Sequence, residues 1–265
     1  MGQVYTLHSG ERPLLVSLPH VGTRIASEVR PSLVERALAV EDTDWFLEAL
    51  YAFVKDLGAS LIVPHHSRYV IDLNRPPENT PMYAGVNNTE LCPTHFFSGD
   101  ALYRAGCTPD AAEIDRRRKT YWQPYHDTLA QELRRIKAQH GHAVLWDGHS
   151  IRSELPWLFD GRLSDLNLGT ANGTSCGAGL RAALARVLEA QRAFSHVIDG
   201  RFKGGHITRR YGQPDIHVHA VQLEMCWSCY MLEAPPWQVD AERAARLEPV
   251  LHALAEAMLD WRPDA

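Results

Sequence analysis

The sequence lacks the features that would assign it to several large functional classes. No apolar run approaches the ~18 residues that a bilayer-spanning helix needs, and the N-terminus has no charged-then-apolar leader pattern. Neither a membrane span nor a secretory signal is therefore expected. Positive charge is not in excess either: 27 Lys and Arg against 32 Asp and Glu give a formal net charge of −5, which offers no long-range attraction to a phosphate backbone. The one basic run, Arg116-Arg117-Arg118-Lys119, falls in a helical pattern and reads as a solvated helix face. Cysteine is scarce and odd in number, five residues without a framework spacing, which suits a reducing compartment. Walker and dinucleotide fingerprints are missing too, so the glycine-rich stretch "LGTANGTSCGAG" (168–179) reads as a loop and no nucleotide cofactor is expected. These absences lead to the expectation of a cytoplasmic protein with a small-molecule partner and neither nucleic acid nor membrane.

What is present suffices for a large core. With 265 residues and 45% hydrophobic content, one α/β domain over residues 1–265 is expected. Short apolar runs at 14–18, 60–63, 69–73, 143–146, 196–198 and 220–224 predict strands, several continuous enough for the middle of a mostly parallel sheet. Helical patterns lie between them. One covers Trp45 to Phe53 before a stop at Gly58, and a second runs from Ile114 to Ile136 with Pro124 expected to kink or divide it. A third spans 176–191 with Ser175 as N-cap, and a fourth spans 241–261. The stretch 76–110, rich in Pro, Asn, Thr and Gly, is too long for an ordinary connection and predicts an insertion or lid.

Ligands of open α/β sheets collect beyond the carboxyl ends of the strands, and here those ends are polar. Pro19-His20-Val21-Gly22 follows the first run, Asp72-Leu73-Asn74-Arg75 the third, and Asp147-Gly148-His149-Ser150 the fourth, while Glu224 ends the last. Imidazole and carboxylate groups converging in this way suit a zinc-type site with three protein ligands. A single histidine among fourteen is more often a surface or hydrogen-bonded residue, so the inference rests on the set.

Taken in order, "SLPHVG" (17–22), "DTDW" (42–45), "SRYVIDLNRP" (67–76), "WDGHS" (146–150), "GGHITRRYGQP" (204–214) and "VQLE" (221–224) resemble the N-formylglutamate deformylase (amidohydrolase) family over nearly the whole chain. That family is related to zinc carboxypeptidases and aspartoacylases. The resemblance implies a phosphorylase/hydrolase-like fold, a mostly parallel mixed sheet flanked by helices, and one divalent metal ion. Zinc is the first expectation, with iron, cobalt or manganese as alternatives. It also implies hydrolysis of N-formyl-L-glutamate to glutamate and formate, the last step of one route of histidine degradation, on a dicarboxylate substrate.

Carried over residue by residue, the resemblance makes His20 and His149 metal ligands. The carboxypeptidase pattern has a glutamate three positions after the first histidine, where this chain has Thr23. Asp42 is favoured as the replacement ligand, with Asp44 as the alternative or as the cap of the Trp45 helix. Asn74 and Arg75 match a carboxylate clamp, with Arg68 as its partner or as a group polarising the scissile carbonyl. Arg152 and Arg210 are candidates for the second carboxylate, and His206 for the pocket wall. Glu224 matches the general base, and burial at a strand end would raise its pKa toward a proton-carrying role. Asp147 is placed to orient an imidazole.

Three other readings compete. A sister amidohydrolase would act on another N-acyl acidic amino acid. "CWSC" (226–229) has redox spacing, but it follows a strand rather than opening a helix. A non-enzymatic binder of acidic metabolites would use the arginines without a metal.

Overall fold

The structure, a computed structural model, describes residues 3–80 and 89–263. Seven strands form one mixed sheet: β1 (Tyr5–His8), β2 (Leu14–Ser17), β3 (Ser60–Pro64), β4 (Ala143–Ile151), β5 (Leu166–Gly169), β6 (His196–Ile198) and β7 (Val218–Cys226), in the order β1-β3-β2-β4-β7-β5-β6. The central strands β3, β2, β4 and β7 run parallel. Strand β1 pairs antiparallel with β3, and β5 antiparallel with β7. The central strands are buried along their whole length, which is why they read as continuous apolar runs rather than alternating ones.

Helices cover both faces. On one face α1 (Leu47–Leu50), α2 (Phe53–Asp56), α5 (Ala178–Ala190) and α7 (Ala241–Asp260) pack over Val16, Val144, Trp146 and Val221. On the other, α4 (Gln123–His140), preceded by α3 (Ala111–Arg117), sets Tyr125, Leu129, Leu133 and Ile136 against Leu15, Leu145 and Ala220. The short α6 (His206–Tyr211) also contacts β4 and β7. Among the described residues no helix is long and apolar enough to cross a membrane.

Several local expectations are corrected. Residues 69–73 are not a strand: they are buried in irregular backbone, where the Tyr69 ring meets Phe96 edge-on and the Val70 carbonyl accepts from Arg117. Their apolarity serves burial, not pairing. The Trp45 helix is two single turns, α1 and α2, entered through Phe46 at a φ of 63°, and Asp44 does not cap it. The division expected near Pro124 is present, by contrast: α3 ends at Arg117, one turn of π-helix covers Arg118–Trp122, and Pro124 sits in the first turn of α4, where its missing N–H does least harm. Ser175 does not cap α5; Gly177 holds that position, and the Ser175 hydroxyl donates to the Ala220 carbonyl. Strands β1 and β5 were not expected from the sequence. Of the 76–110 segment, residues 81–88 lie outside the described residues, while Leu91, Phe96, Leu102 and Tyr103 are core residues.

Candidate active site

Strands β4 and β7 each change chemistry half-way along one face. Side chains two apart share a face of a strand, and Ala143 and Leu145 of β4 give way to Asp147 and His149, just as Val218 and Ala220 of β7 give way to Gln222 and Glu224. The parallel register sets His149 directly beside Glu224. The first half of the face is core and the second half lines a cleft. Gly148 points the other way, and it is not a turn residue: its backbone is strand, and a Cβ there would lie 2.7 Å from Leu18 Cδ2. Glycine is needed for that close approach.

His20 follows β2, and its carbonyl accepts the Asp44 N–H at 3.1 Å, which brings the 42–44 segment to the strand end. The Nδ1 atoms of both imidazoles face Asp44 Oδ2, that of His149 at 3.1 Å and that of His20 at 3.7 Å. The Ser150 N–H also donates to Asp44 Oδ2. The Nε2 atoms face outward onto other carboxylates: His20 Nε2 lies 2.7 Å from Asp72 Oδ1, and His149 Nε2 lies 3.2 Å from Asp147 Oδ2. For His20, the Asp72 carboxylate behind Nε2 holds the proton there and leaves Nδ1 as a lone-pair donor, the arrangement that metal-binding imidazoles require; Nε2 of His149 faces both Asp147 Oδ2 and the Asn74 amide nitrogen. One donor atom from each of His20, Asp44 and His149 lies within 4.8 Å of the others, and all three residues are buried.

The charges support the fit to a cation. Asp44, Asp72, Asp147 and Glu224 are at most 7% exposed, and desolvating each carboxylate costs several kcal/mol unless positive charge offsets it. Arg68 covers Asp72, with Nη2 at 2.7 Å from Oδ2, and Nη1 reaches Asp44 Oδ1 only at 3.8 Å. Asp147 Oδ1 is buried with no hydrogen-bond partner among the described residues. Burial lowers the His20 pKa, Arg68 lowers it further, and Asp72 and Asp44 only partly oppose them, so the ring is held neutral, ready to ligate. Burial acts on His149 in the same direction, but Asp147 and Asp44 outweigh it and hold a proton on that ring well above the usual histidine range. A cation in the cluster would replace that proton. Burial also drives the Glu224 carboxyl up from its usual value, His149 and Arg68 opposing, Asp44 and Asp147 reinforcing.

The sequence candidates divide. His20, Asp44, His149, Arg68, Asn74, Arg75 and Glu224 all line one cleft. The choice of Asp42 over Asp44 is corrected, because the Asp42 carboxylate turns away to accept the Tyr69 hydroxyl at 2.7 Å and the Phe97 N–H at 3.0 Å. Asn74 is a brace: Nδ2 donates to Asp147 Oδ2 (3.2 Å) and lies 2.9 Å from His149 Nε2, while Oδ1 accepts the Ile207 N–H. A Cβ on Gly205 would lie 2.3 Å from that Nδ2, so the loop bearing "GGH" can press on Asn74 only as glycine. Neutral His126, its pKa pushed down to about 3 by burial, fixes the same segment by donating from Nε2 to the Leu73 carbonyl. Arg75 grips Thr89 through Nε and Nη2 and the Asn74 carbonyl through Nη1.

Arg152, Arg210 and His206 are placed elsewhere. The Arg152 guanidinium lies over the rings of Trp227 and Trp237, Arg210 lines a separate crevice beside Leu133 and Tyr211, and the His206 ring packs near Trp122 and His126. In their stead the cleft has Arg201, which sequence reasoning missed, together with Gln222, Ser150 and Phe97. Asp72, the brace of His20, stands inside "SRYVIDLNRP" and was open to discovery as the carboxylate nearest Asn74. Arg201 follows a three-residue strand with no pattern around it.

Residues 12–231 match the family model of N-formylglutamate amidohydrolase. The chain belongs to that family. Two curated relatives, each called N-formylglutamate deformylase, are 50% identical (Pseudomonas aeruginosa) and 48% identical (Pseudomonas putida) over 261 residues, covering 98% of this chain and 98% and 97% of theirs. A crystal structure of N-formylglutamate amidohydrolase from Ralstonia eutropha JMP134 superposes with a TM-score of 0.81 at 22% identity, covering 96% of this chain and 98% of that one. A protein from Agrobacterium tumefaciens does so with 0.74 at 18%, covering 97% and 95%. Family membership disfavours the thiol reading, and so does the geometry: Cys226 and Cys229 are buried, point at the carbonyls of Ser164 and Asp165, and have thiol pKa values raised by burial, so the reactive thiolate is suppressed.

Proposed function

We propose that this chain hydrolyses N-formyl-L-glutamate to L-glutamate and formate, with one divalent ion, zinc in the first instance, held by His20, Asp44 and His149. The observation that carries the reading is the meeting in one cleft of that cluster, Glu224 and several arginines, in a chain half identical to two deformylases. When bound, the ion supplies the Lewis acidity that polarises a formyl oxygen and makes water a competent nucleophile near neutral pH.

The remaining roles fall to the protein. Glu224, beside His149 and steadied by the Gln222 amide at 3.3 Å, takes a proton from the attacking water and delivers it to the amide nitrogen, so the C–N bond breaks with a neutral amine leaving. Arg68 is oriented by Asp72 and lies over the Phe97 ring at 4.6 Å, which directs its guanidinium toward the negative charge that develops on the formyl oxygen. Arg75 holds one substrate carboxylate, and Asn74 keeps Asp147 and His149 in position.

A panel of N-formylglutamate, N-formylaspartate and N-acetylaspartate tests this reading. One methylene more or less in a shaped pocket is worth ~10- to 200-fold, so kcat/KM for N-formylglutamate should exceed the other two by at least about tenfold. Faster turnover of N-acetylaspartate would make the chain a sister amidohydrolase instead.

A further inference from the structure

The substrate of the proposed reaction carries two carboxylates, and the cleft presents guanidinium groups from two different parts of the chain. Arg68 and Arg75 come from the segment after β3. Arg201 comes from the segment after β6, at the other edge of the sheet, with Glu224 on β7 lying between. A scissile amide beside Glu224 therefore has cationic groups on both sides.

The Arg201 segment is a built platform. Asp199, at a φ of 54°, accepts the Thr170 N–H (2.7 Å) and hydroxyl (2.6 Å), the Asn172 N–H (3.2 Å) and Arg181 Nη2 (3.2 Å). The Lys203 carbonyl accepts the Ala171 N–H at 2.6 Å, and a Cβ on Gly169 would lie 2.5 Å from Gly204 N, so the segment is pressed tightly on the end of β5. The Leu158 carbonyl accepts from Arg201 Nη2 at 3.0 Å, which fixes the plane of the guanidinium. Leu158 and Phe202 line the same cleft, and the Arg201 guanidinium carbon lies 5.7 Å from the centre of the Phe202 ring. A planar guanidinium with apolar side chains beside it matches a carboxylate at the end of a short methylene chain.

We infer that Arg201, with Leu158 and Phe202, forms the subsite for the side-chain carboxylate of the substrate, and so selects acidic N-formyl amino acids over neutral ones. The inference rests on the proposed deformylase reading. In that arrangement Arg75 takes the α-carboxylate, and the two methylenes between Cα and the γ-carboxylate lie along Leu158 and Phe202.

Two monoamides separate the subsites. N-formylglutamine lacks the γ-charge, and N-formylisoglutamine lacks the α-charge. Loss of a charge-assisted contact should lower kcat/KM of Arg201→Met at least about tenfold on N-formylglutamate and on N-formylisoglutamine, with little change on N-formylglutamine. Arg201→Lys should show the same selectivity with a smaller loss. Equal losses on all three substrates in both variants, or a loss confined to substrates with a free α-carboxylate, would overturn the inference. Wild-type protein that releases no formate from N-formylglutamate would fail the functional reading itself, whereas an active wild type with unselective Arg201 variants would fail this subsite alone.

Discussion

Asp44→Asn is expected to leave the purified protein without stoichiometric metal and to lower kcat/KM by at least about 10³-fold, the equivalent of several kcal/mol of Lewis-acid assistance. Asp44 Oδ2 is the oxygen that both Nδ1 atoms face, so an amide in its place removes the only anionic member of the cluster. Asp42→Asn is the informative companion. Its carboxylate holds Tyr69 and the Phe97 backbone, and the expected damage is about 1–3 kcal/mol of stability with metal retained. Metal analysis and formate release on both variants check this. Retained metal in Asp44→Asn together with its loss in Asp42→Asn would reverse the assignment.

Glu224→Gln should lower kcat by roughly 10² to 10⁴ with the metal still bound, because the amide keeps the shape and loses the group that accepts and passes the proton. The setting makes this a clean substitution. Gln222 is the side-chain hydrogen-bond partner of Glu224 among the described residues, and the position lies inside β7 on a face shared with Gln222, so backbone pairing is untouched. Near-normal kcat with intact metal would return Glu224 to a structural role.

The parts of the site that were legible in the sequence are those carried by regular structure. His149 and Glu224 follow apolar runs that had to be central strands, and strand pairing then sets them side by side. The strands ran further than expected because polar residues at the end of a buried strand still satisfy the ladder; Asp147 to Ile151 pair with Gln222 to Cys226. The choice between Asp42 and Asp44 was not legible, since both sit in an irregular segment where two residues of chain decide which carboxylate turns inward. There the Asp44 N–H bond to the His20 carbonyl and the Tyr69 hydroxyl on Asp42 decide which carboxylate faces the imidazoles, and both are contacts between distant parts of the chain. Arg201 was hidden for the same reason: nothing local distinguishes it from Arg152 or Arg210, and only the fold shows which of them faces the cleft. Residues 69–73 misled because full burial and β-pairing both call for apolar side chains.

The most direct test of the account is formate release from N-formylglutamate by the purified protein as isolated, after removal of metal by chelation, and after return of a divalent ion in increasing amounts. Activity should fall at least about 10³-fold on chelation and return in proportion to added ion, saturating at one ion per chain. Full activity in the metal-free protein would contradict it.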